Sequence, residues 1–104
     1  MIYHIVTPEY WAQFEYAPAY KSETLEAETF IHCSTQTQIA GVLERYYSGV
    51  DDLFLMHVDE NKLTSPLVYE PAPNGTELFP HVYGPINSEA IVEIGWLKKD
   101  GNIL

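Results

Sequence analysis

The order of helix-like and strand-like patterns along the chain constrains its fold most. The patterns alternate strand, helix, strand, helix through the first half, and several strand-like segments then follow with no long helical pattern between them. Parallel strands need long crossover connections, which are usually helices, so closely spaced strands favour antiparallel pairing. The sequence therefore predicts an α+β domain with a mostly antiparallel sheet and two helices in its N-terminal half.

The strands are predicted from short runs of alternating or apolar residues. "MIYHIV" alternates so that Ile2, His4 and Val6 share one face of a first strand. The segment "AYKSETLEAET" is expected to be a connection with a short strand. Further strands are predicted in "FIHCS", "DLFLMHVD", "LTSPLVYEP", "ELFPHVYGP" and "AIVEIGWLKK", with a turn at "APNG".

The two helices are predicted from capping signals. Thr7 followed by Pro8 is typical of a helix start, and this helix is expected to run through "EYWAQFEY" and to end before the next proline. The second helix is expected to begin at Ser34 or Thr35, because Gln38 completes the spacing of a capping box with Thr35. Its apolar residues recur at helical spacing as far as the glycine of "YYSG".

Length and composition favour a single domain spanning residues 1–104. The chain has 104 residues, of which 46% are hydrophobic, enough for one core and too few for two. The first residues have neither a basic start nor a continuous apolar run, so we expect no signal peptide and no membrane association. The one cysteine, Cys33, cannot form an internal disulfide, which makes a cytoplasmic location the default expectation.

The net charge of the chain limits its partners. The formal charge is −10, from fifteen acidic residues against five lysines and arginines. Affinity for nucleic acid rises with the number of phosphates that a protein neutralises, so a long DNA or RNA partner is not expected. A small-molecule or nucleotide ligand is the expected partner, and an anionic one would need a local cluster of donors.

Three histidines, His4, His32 and His81, lie in strand-like segments among apolar neighbours. Burying an imidazole costs free energy unless its nitrogens are hydrogen-bonded. Each could be bonded to backbone groups in the core, or the three could line one site; their number favours the site. His57, in "LFLMHVD", is interpreted as structural.

Alternation divides "FIHCS" into two faces. Phe30, His32 and Ser34 share one face, while Ile31 and Cys33 point the other way. We therefore expect Cys33 to be a small core residue rather than a nucleophile, since no neighbouring feature would lower its pKa.

The strands of the second half supply further candidates. In "LFPHVYG" the side chains of His81 and Tyr83 share a face, and Pro80 marks an edge or a bend. Glu70 ends "LVYE", and a carboxylate at a strand end beside an aromatic residue is a catalytic candidate, although a solvated strand end is the alternative.

No histidines or cysteines have the spacing of a zinc motif, so no metal site is predicted. A triad of Ser34, a histidine and a carboxylate remains open.

Five segments together resemble the small bacterial proteins grouped as domain of unknown function 952: "IYHI", "FIHCST", "DLFLMHVD", "LVYEP" and "LFPHVYGPI". The resemblance spans nearly the whole chain. It implies an ADP-ribosyltransferase-like fold, a split and mostly antiparallel sheet that holds NAD in a cleft. NAD then becomes a possible substrate, with no certain cofactor.

The resemblance also implies roles for individual residues. His4 would bind the adenosine-side ribose of NAD from the first strand, and His32 with Ser34 would form the second-strand element. His81 or Tyr83 would lie near the third position, where the larger superfamily has its glutamate, and Glu70 is a nearby alternative. The resulting hypothesis assigns catalytic roles to His32, His81 and Glu70, and ligand binding to His4, Ser34 and Tyr83.

Three functions are compatible with these assignments. The first is an NAD- or nucleotide-utilising enzyme that acts at a ribose or glycosidic bond, including transfer to a 2'-phosphate as in the histidine-bearing RNA phosphotransferase branch. The second is a non-catalytic domain that binds a nucleotide or another small molecule. The third is a purely structural role, in which the histidines complete a polar network in the core.

Overall fold

The computed structural model describes residues 1–72 and 75–97. Its three α-helices are α1 (Pro8–Trp11), α2 (Leu25–Glu28) and α3 (Ile39–Tyr46). Its eight strands are β1 (Ile2–Val6), β2 (Ala19–Tyr20), β3 (Ile31–His32), β4 (Phe54–Val58), β5 (Leu67–Pro71), β6 (Leu78–Val82), β7 (Ile86–Asn87) and β8 (Ile91–Trp96). Short 3₁₀ turns cover Gln36–Gln38, Glu60–Lys62 and Ser88–Ala90.

The strands form three antiparallel sheets, which confirms the predicted α+β class. One sheet has the order β1-β4-β8, a second the order β3-β6-β5, and β2 pairs with β7. The two larger sheets meet at one bridge, where the backbone NH of Tyr3 donates to the carbonyl of Ser34 at 2.8 Å and the NH of Ser34 donates to the carbonyl of Tyr3 at 2.7 Å. The finer expectation of an ADP-ribosyltransferase-like split stays a prediction.

The first strand is buried on both faces and separates two apolar clusters. Ile2 and Val6 pack on one side, with Tyr20, Met56 and Val82. On its other side, Tyr3 and Ile5 pack beneath α3. The predicted alternation of β1 is therefore confirmed, and His4 belongs by that alternation to the face of Ile2 and Val6.

Helix α1 begins at the predicted residue but is shorter than predicted. The NH of Tyr10 donates to Oγ1 of Thr7 at 3.2 Å, which confirms the N-cap. The extension through Tyr16 is wrong, because α1 ends at Trp11. The chain then tightens into turns, with the NH of Phe14 donating to the carbonyl of Trp11 at 2.8 Å. This tightening brings the Phe14 ring to 5.2 Å from the ring of Tyr20, so tertiary packing overrides the helical pattern.

The segment after β2 contains a helix that the sequence did not predict. Helix α2 has four residues, which is too short to show an apolar period. The short strand expected there is confirmed as β2, and the chain thus has three α-helices in its N-terminal half instead of two.

The capping box of the second predicted helix is confirmed. The side chains of Thr35 and Gln38 bond reciprocally to each other's backbone, with the NH of Thr35 donating to Oε1 of Gln38 at 3.0 Å. One 3₁₀ turn follows the cap before α3 begins.

The predicted turn at "APNG" and the end of "AIVEIGWLKK" fall partly outside the described residues, which exclude 73–74 and 98–104.

Candidate functional site

Three of the predicted residues meet on the β5–β6 pair. Nδ1 of His81 lies 2.7 Å from Oε1 of Glu70, and the hydroxyl of Tyr83 donates to the same carboxylate oxygen. An ionised carboxylate only accepts hydrogen bonds, so Nδ1 of His81 carries the proton. One carboxylate therefore fixes the orientation of both an imidazole and a phenol.

His81 is buried with one nitrogen left over. Its side chain is 2% exposed, and Nε2 has no hydrogen-bond partner in the part of the chain that the structure describes. Buried polar atoms of this kind are rare and call for an explanation. With Nδ1 donating to Glu70, Nε2 is the ring nitrogen that is left as a hydrogen-bond acceptor.

Strand β3 adds a second histidine and an aromatic ring. His32 lies opposite His81 in the antiparallel register, and the two ring centroids are 5.4 Å apart. The ring of Phe30 stacks on that of His81 at 4.0 Å with an angle of 16° between the planes. The ring centre of Phe30 is also 5.3 Å from that of Tyr83, in a tilted arrangement, and 4.8 Å from that of His32, in an edge-on arrangement.

His32 has its own carboxylate. Its Nε2 lies 2.7 Å from Oε2 of Glu28, and its side chain is 47% exposed. We call the six residues of this site the histidine cluster; they are Glu28, Phe30, His32, Glu70, His81 and Tyr83. The histidine cluster holds two imidazoles side by side, each oriented by a carboxylate, one buried and one exposed.

An unusual backbone conformation joins Glu28 to β3. Thr29 ends α2 with a φ of 70°, in the left-handed region that a β-branched residue rarely adopts. Holding a residue in this conformation typically lowers the free energy of unfolding by about 1–3 kcal/mol, and such residues are frequent at functional sites. The turn allows Glu28 and His32, four residues apart, to form their pair although no continuous helix links them.

His4 lies in the core and is fully bonded within the protein. Its Nδ1 donates to the carbonyl of His32 at 2.7 Å, since a carbonyl can only accept, and the hydroxyl of Tyr20 therefore donates to Nε2, also at 2.7 Å. Burial lowers the pKa of His4 to about 4, which keeps the ring neutral. His4 thus touches the backbone of β3 behind His32 rather than the imidazole itself.

The structure places the other sequence candidates as follows. Ser34 is buried and bridges to Tyr3 through its backbone, and Cys33 is buried in the core beside it. Burial raises the pKa of the Cys33 thiol to about 12, in agreement with the expectation of an unreactive core residue. His57 lies at 3.8 Å from Glu93 on the β1-β4-β8 sheet.

Known proteins resemble this chain both in sequence and in architecture. The pattern of the family described as "Protein of unknown function (DUF952)" matches residues 5–94, most of the chain. The chain belongs to the DUF952 family. No curated protein matches it.

Solved structures give the DUF952 chain a close match in fold. It is similar to the crystal structure of protein CC0527 from Caulobacter crescentus, with 25% identity and a TM-score of 0.80 over 99% of this chain and 92% of that one. It is also similar to the solution NMR structure of CC0527, with 26% identity and a TM-score of 0.78 over 93% and 84% of the two chains. The family match over residues 5–94 confirms the membership expected from the sequence.

Two members of the histidine cluster in this DUF952 chain were missed as site residues. Phe30 was placed on the face of His32 by alternation, but its stacking on His81 requires the β3–β6 register. Glu28 precedes His32 by four residues, a spacing that pairs side chains only within a helix. The left-handed turn at Thr29 produces the same meeting by another route.

The described cavities of the DUF952 chain lie elsewhere. One of about 200 Å³ is lined by Trp11, Phe14 and β8, and one of about 440 Å³ lies between α3 and Leu97. No residue of the histidine cluster lines either of these two cavities. Within residues 1–72 and 75–97, no group of three or more His, Cys, Asp or Glu side chains is arranged to hold a metal ion. Across the same ranges, no helix has the length and apolar character that crossing a membrane takes.

The electrostatics of the DUF952 site favour an ionised Glu70. The hydrogen bond from Tyr83, followed by that from His81, lowers the pKa of the Glu70 carboxyl. The same contact raises the pKa of Tyr83. The histidine cluster therefore presents a stable negative charge, 31% exposed, at neutral pH.

Replacing Tyr83 by phenylalanine is expected to raise the pKa of Glu70. The substitution removes the larger of the two hydrogen bonds that stabilise the carboxylate, so protonation becomes easier. Carbon-13 NMR titration of the Glu70 carboxyl measures the change. Tyr69→Phe is the matched control, since Tyr69 is the neighbour of Glu70 on β5 and donates to a different carboxylate, that of Glu60, at 3.0 Å. An unchanged Glu70 pKa in Tyr83→Phe would contradict the assignment.

Proposed function

We propose that this DUF952 protein is an enzyme that acts on a nucleotide at a ribose or glycosidic bond, with NAD as the candidate substrate and an ADP-ribosyltransferase-like sheet as its frame. The observation that carries the proposal is the Glu70 carboxylate, which is fixed by His81 and Tyr83. The ring of Phe30 lies beside Tyr83, and the ring of His32 lies beside His81. Enzymes that cleave glycosidic bonds commonly place a carboxylate beside the sugar.

Glu70 would stabilise the charge that develops during the reaction. Breaking the bond between nicotinamide and ribose gives the sugar an oxocarbenium-like positive charge. A carboxylate that is already ionised and oriented needs no reorganisation at that moment, which is the source of most electrostatic catalysis. The lowered pKa of Glu70 supports this role.

The two histidines would divide positioning and proton transfer. His32 is exposed and oriented by Glu28, so its second ring nitrogen can exchange a proton with a ribose hydroxyl or an attacking group. His81 would hold Glu70 through Nδ1 and so position the carboxylate. Tyr83 would bind the ligand beside them, as predicted from the sequence.

His4 and Ser34 have supporting parts in the proposal. His4 fixes the carbonyl of His32 and so the position of β3. Ser34 anchors β3 to β1 through the bridge to Tyr3. Direct ligand binding by either residue remains a prediction from the resemblance.

The test is turnover and binding of NAD in matched variants. We expect ligand-observed NMR to detect binding of NAD or ADP-ribose and chromatography to detect released nicotinamide. Glu70→Gln is expected to lower release by about 100-fold or more, because it removes the stabilising charge. His32→Gln should lower it as well.

Glu93→Gln is the control for these variants. Glu93 is also a carboxylate near a histidine, 3.8 Å from His57, but it belongs to β8. Its replacement should leave nicotinamide release unchanged. Absence of binding by NAD and ADP-ribose at millimolar concentration would remove the substrate from the proposal.

Binding without turnover is the second candidate, and the burial of His81 favours it. A side chain that is 2% exposed has little access for proton exchange with a substrate. This function predicts that NAD binds, that Glu70→Gln weakens the binding, and that no nicotinamide is released by any variant.

A further inference from the structure

Arg45 is a positive charge held beside aromatic rings. It lies in the last turn of α3, with its guanidinium carbon 5.9 Å from the ring centre of Phe79 and 6.0 Å from that of Tyr46. No carboxylate of the described residues lies within ion-pair distance of it. Aromatic faces attract a guanidinium without neutralising it, so its hydrogen-bond donors stay available.

The position of Phe79 connects Arg45 to the histidine cluster. Phe79 and His81 are two residues apart on β6 and therefore share a face, about 7 Å apart along the strand. Phe79 is also the cross-strand partner of Glu70. Arg45 thus lies at the end of the same sheet face that carries Glu70 and His81.

The orientation of the Arg45 side chain agrees with this placement. One terminal nitrogen of the guanidinium is 3.7 Å from the point where a side-chain carbon at Gly41 would lie, one turn towards the start of α3. At that start, Nε2 of Gln38 donates to the carbonyl of Leu78, at 2.8 Å, and so ties the helix to β6. Arg45 is therefore directed to the β6 side of its helix.

The charge of the protein makes this arginine distinctive. The chain carries a formal charge of −10, and Lys21 and Lys62 are the other basic residues of the described ranges. An anionic ligand that approaches so acidic a surface requires a specific cation at its binding site. A guanidinium binds a phosphate through two parallel hydrogen bonds, which gives geometric as well as electrostatic selectivity.

We infer that Arg45 binds the phosphate of a nucleotide whose ribose lies against Glu70 and His81. The substrate class is accordingly a phosphorylated nucleoside, and an uncharged nucleoside is a poor ligand. This inference rests on the proposed function, since it places the ribose at the histidine cluster.

The experiment compares ADP-ribose with adenosine on the unchanged protein and three variants by calorimetry and NMR titration. In the unchanged protein, ADP-ribose should bind at least tenfold more tightly than adenosine. Arg45→Met should raise the Kd of ADP-ribose about tenfold and leave that of adenosine unchanged. Arg45→Lys should recover part of the loss, because the charge remains and the paired donors do not.

Lys62→Met is the control, since it removes the same charge from another part of the surface. It should leave both affinities unchanged, and an equal loss in this variant would overturn the inference by showing a general charge effect. Equal binding of both ligands, or an unchanged Kd of ADP-ribose in Arg45→Met, would also overturn it while the proposed function stands. Failure of both ligands to bind at millimolar concentration would overturn the inference and the proposed function together.

Discussion

Lowering the pH from 6.5 to 4 is expected to reduce the free energy of unfolding by about 3 kcal/mol through His4 alone. The pKa of His4 is about 4 in the folded protein and near 6.5 in the unfolded chain, and burial is the main cause. Between these two values the unfolded state binds more protons than the folded state, so stability falls as the pH falls. The stability that the neutral His4 ring contributes is present above pH 6.5 and is lost as the pH falls to about 4.

Urea denaturation of the unchanged protein and of His4→Gln across this pH range tests the expectation. Glutamine can donate to the carbonyl of His32 and accept from Tyr20, but it does not titrate. The stability advantage of the unchanged protein over the variant should therefore shrink by about 3 kcal/mol between pH 6.5 and 4. Carboxyl groups with lowered pKa values, such as Glu70, are common to both proteins and cancel in the difference.

His57→Gln is the matched control, because it removes a histidine from the neighbouring strand β4 while His4 and its partners stay in place. If the pH profiles of the unchanged protein and of His4→Gln run parallel from 6.5 to 4, His4 does not remain neutral in the fold and the assignment of its two hydrogen bonds is wrong.

Replacing Gly84 by alanine is expected to destabilise the protein by about 2–4 kcal/mol. Gly84 has a φ of +144°, which an alanine rarely adopts, and an added side-chain carbon would lie 2.6 Å from Oγ of Ser65 and 3.1 Å from its Cβ. Ser65 cannot yield easily, because its hydroxyl donates to the carbonyl of Pro85 at 2.6 Å. The variant therefore combines backbone strain with a steric conflict and a weakened hydrogen bond.

Gly49→Ala separates the backbone strain from the other two effects. Gly49 has a φ of +85°, and nothing lies within 4 Å of the position of an added carbon. Its replacement should cost only the strain, about 1 kcal/mol. Urea denaturation of both variants measures the difference. Equal losses would mean that the Ser65 contact is relieved without cost.

Local chemistry made part of this fold predictable. The Thr7 cap and the Thr35–Gln38 box depend on neighbours within three residues, and the sequence therefore contains all the information they need. The face pattern of β1 depends on burial alone and was equally accessible. Helix α2 was not predictable because its four residues are too short to show an apolar period. The early end of α1 was not predictable because it accompanies the packing of Phe14 on Tyr20, which lies beyond the helical pattern.

The candidate site was predictable in its members more than in their roles. Alternation placed His81 with Tyr83 on one face, and the pairing of β5 with β6 brings Glu70 to them. His4 and His32 have the same strand-like surroundings in the sequence, yet one is in the core and the other is exposed. His4 differs from His32 in its hydrogen bond with the hydroxyl of Tyr20. Tyr20 lies in a strand of two residues, which is too short to give a recognisable pattern in the sequence.

The placement of the histidine cluster also bears on the order in which the protein folds. Glu70 and His81 are separated by 11 residues, and Glu70 and Tyr83 by 13, so their strand pair closes a short loop at low entropic cost. The β1–β4 pairing joins Ile2 to Val58 and must close a far longer one. Contacts of short range form early in folding and long-range sheets form late. The carboxylate, the buried imidazole and the phenol would therefore meet before most of the core exists, and the rest of the chain would fold around a site that is already assembled.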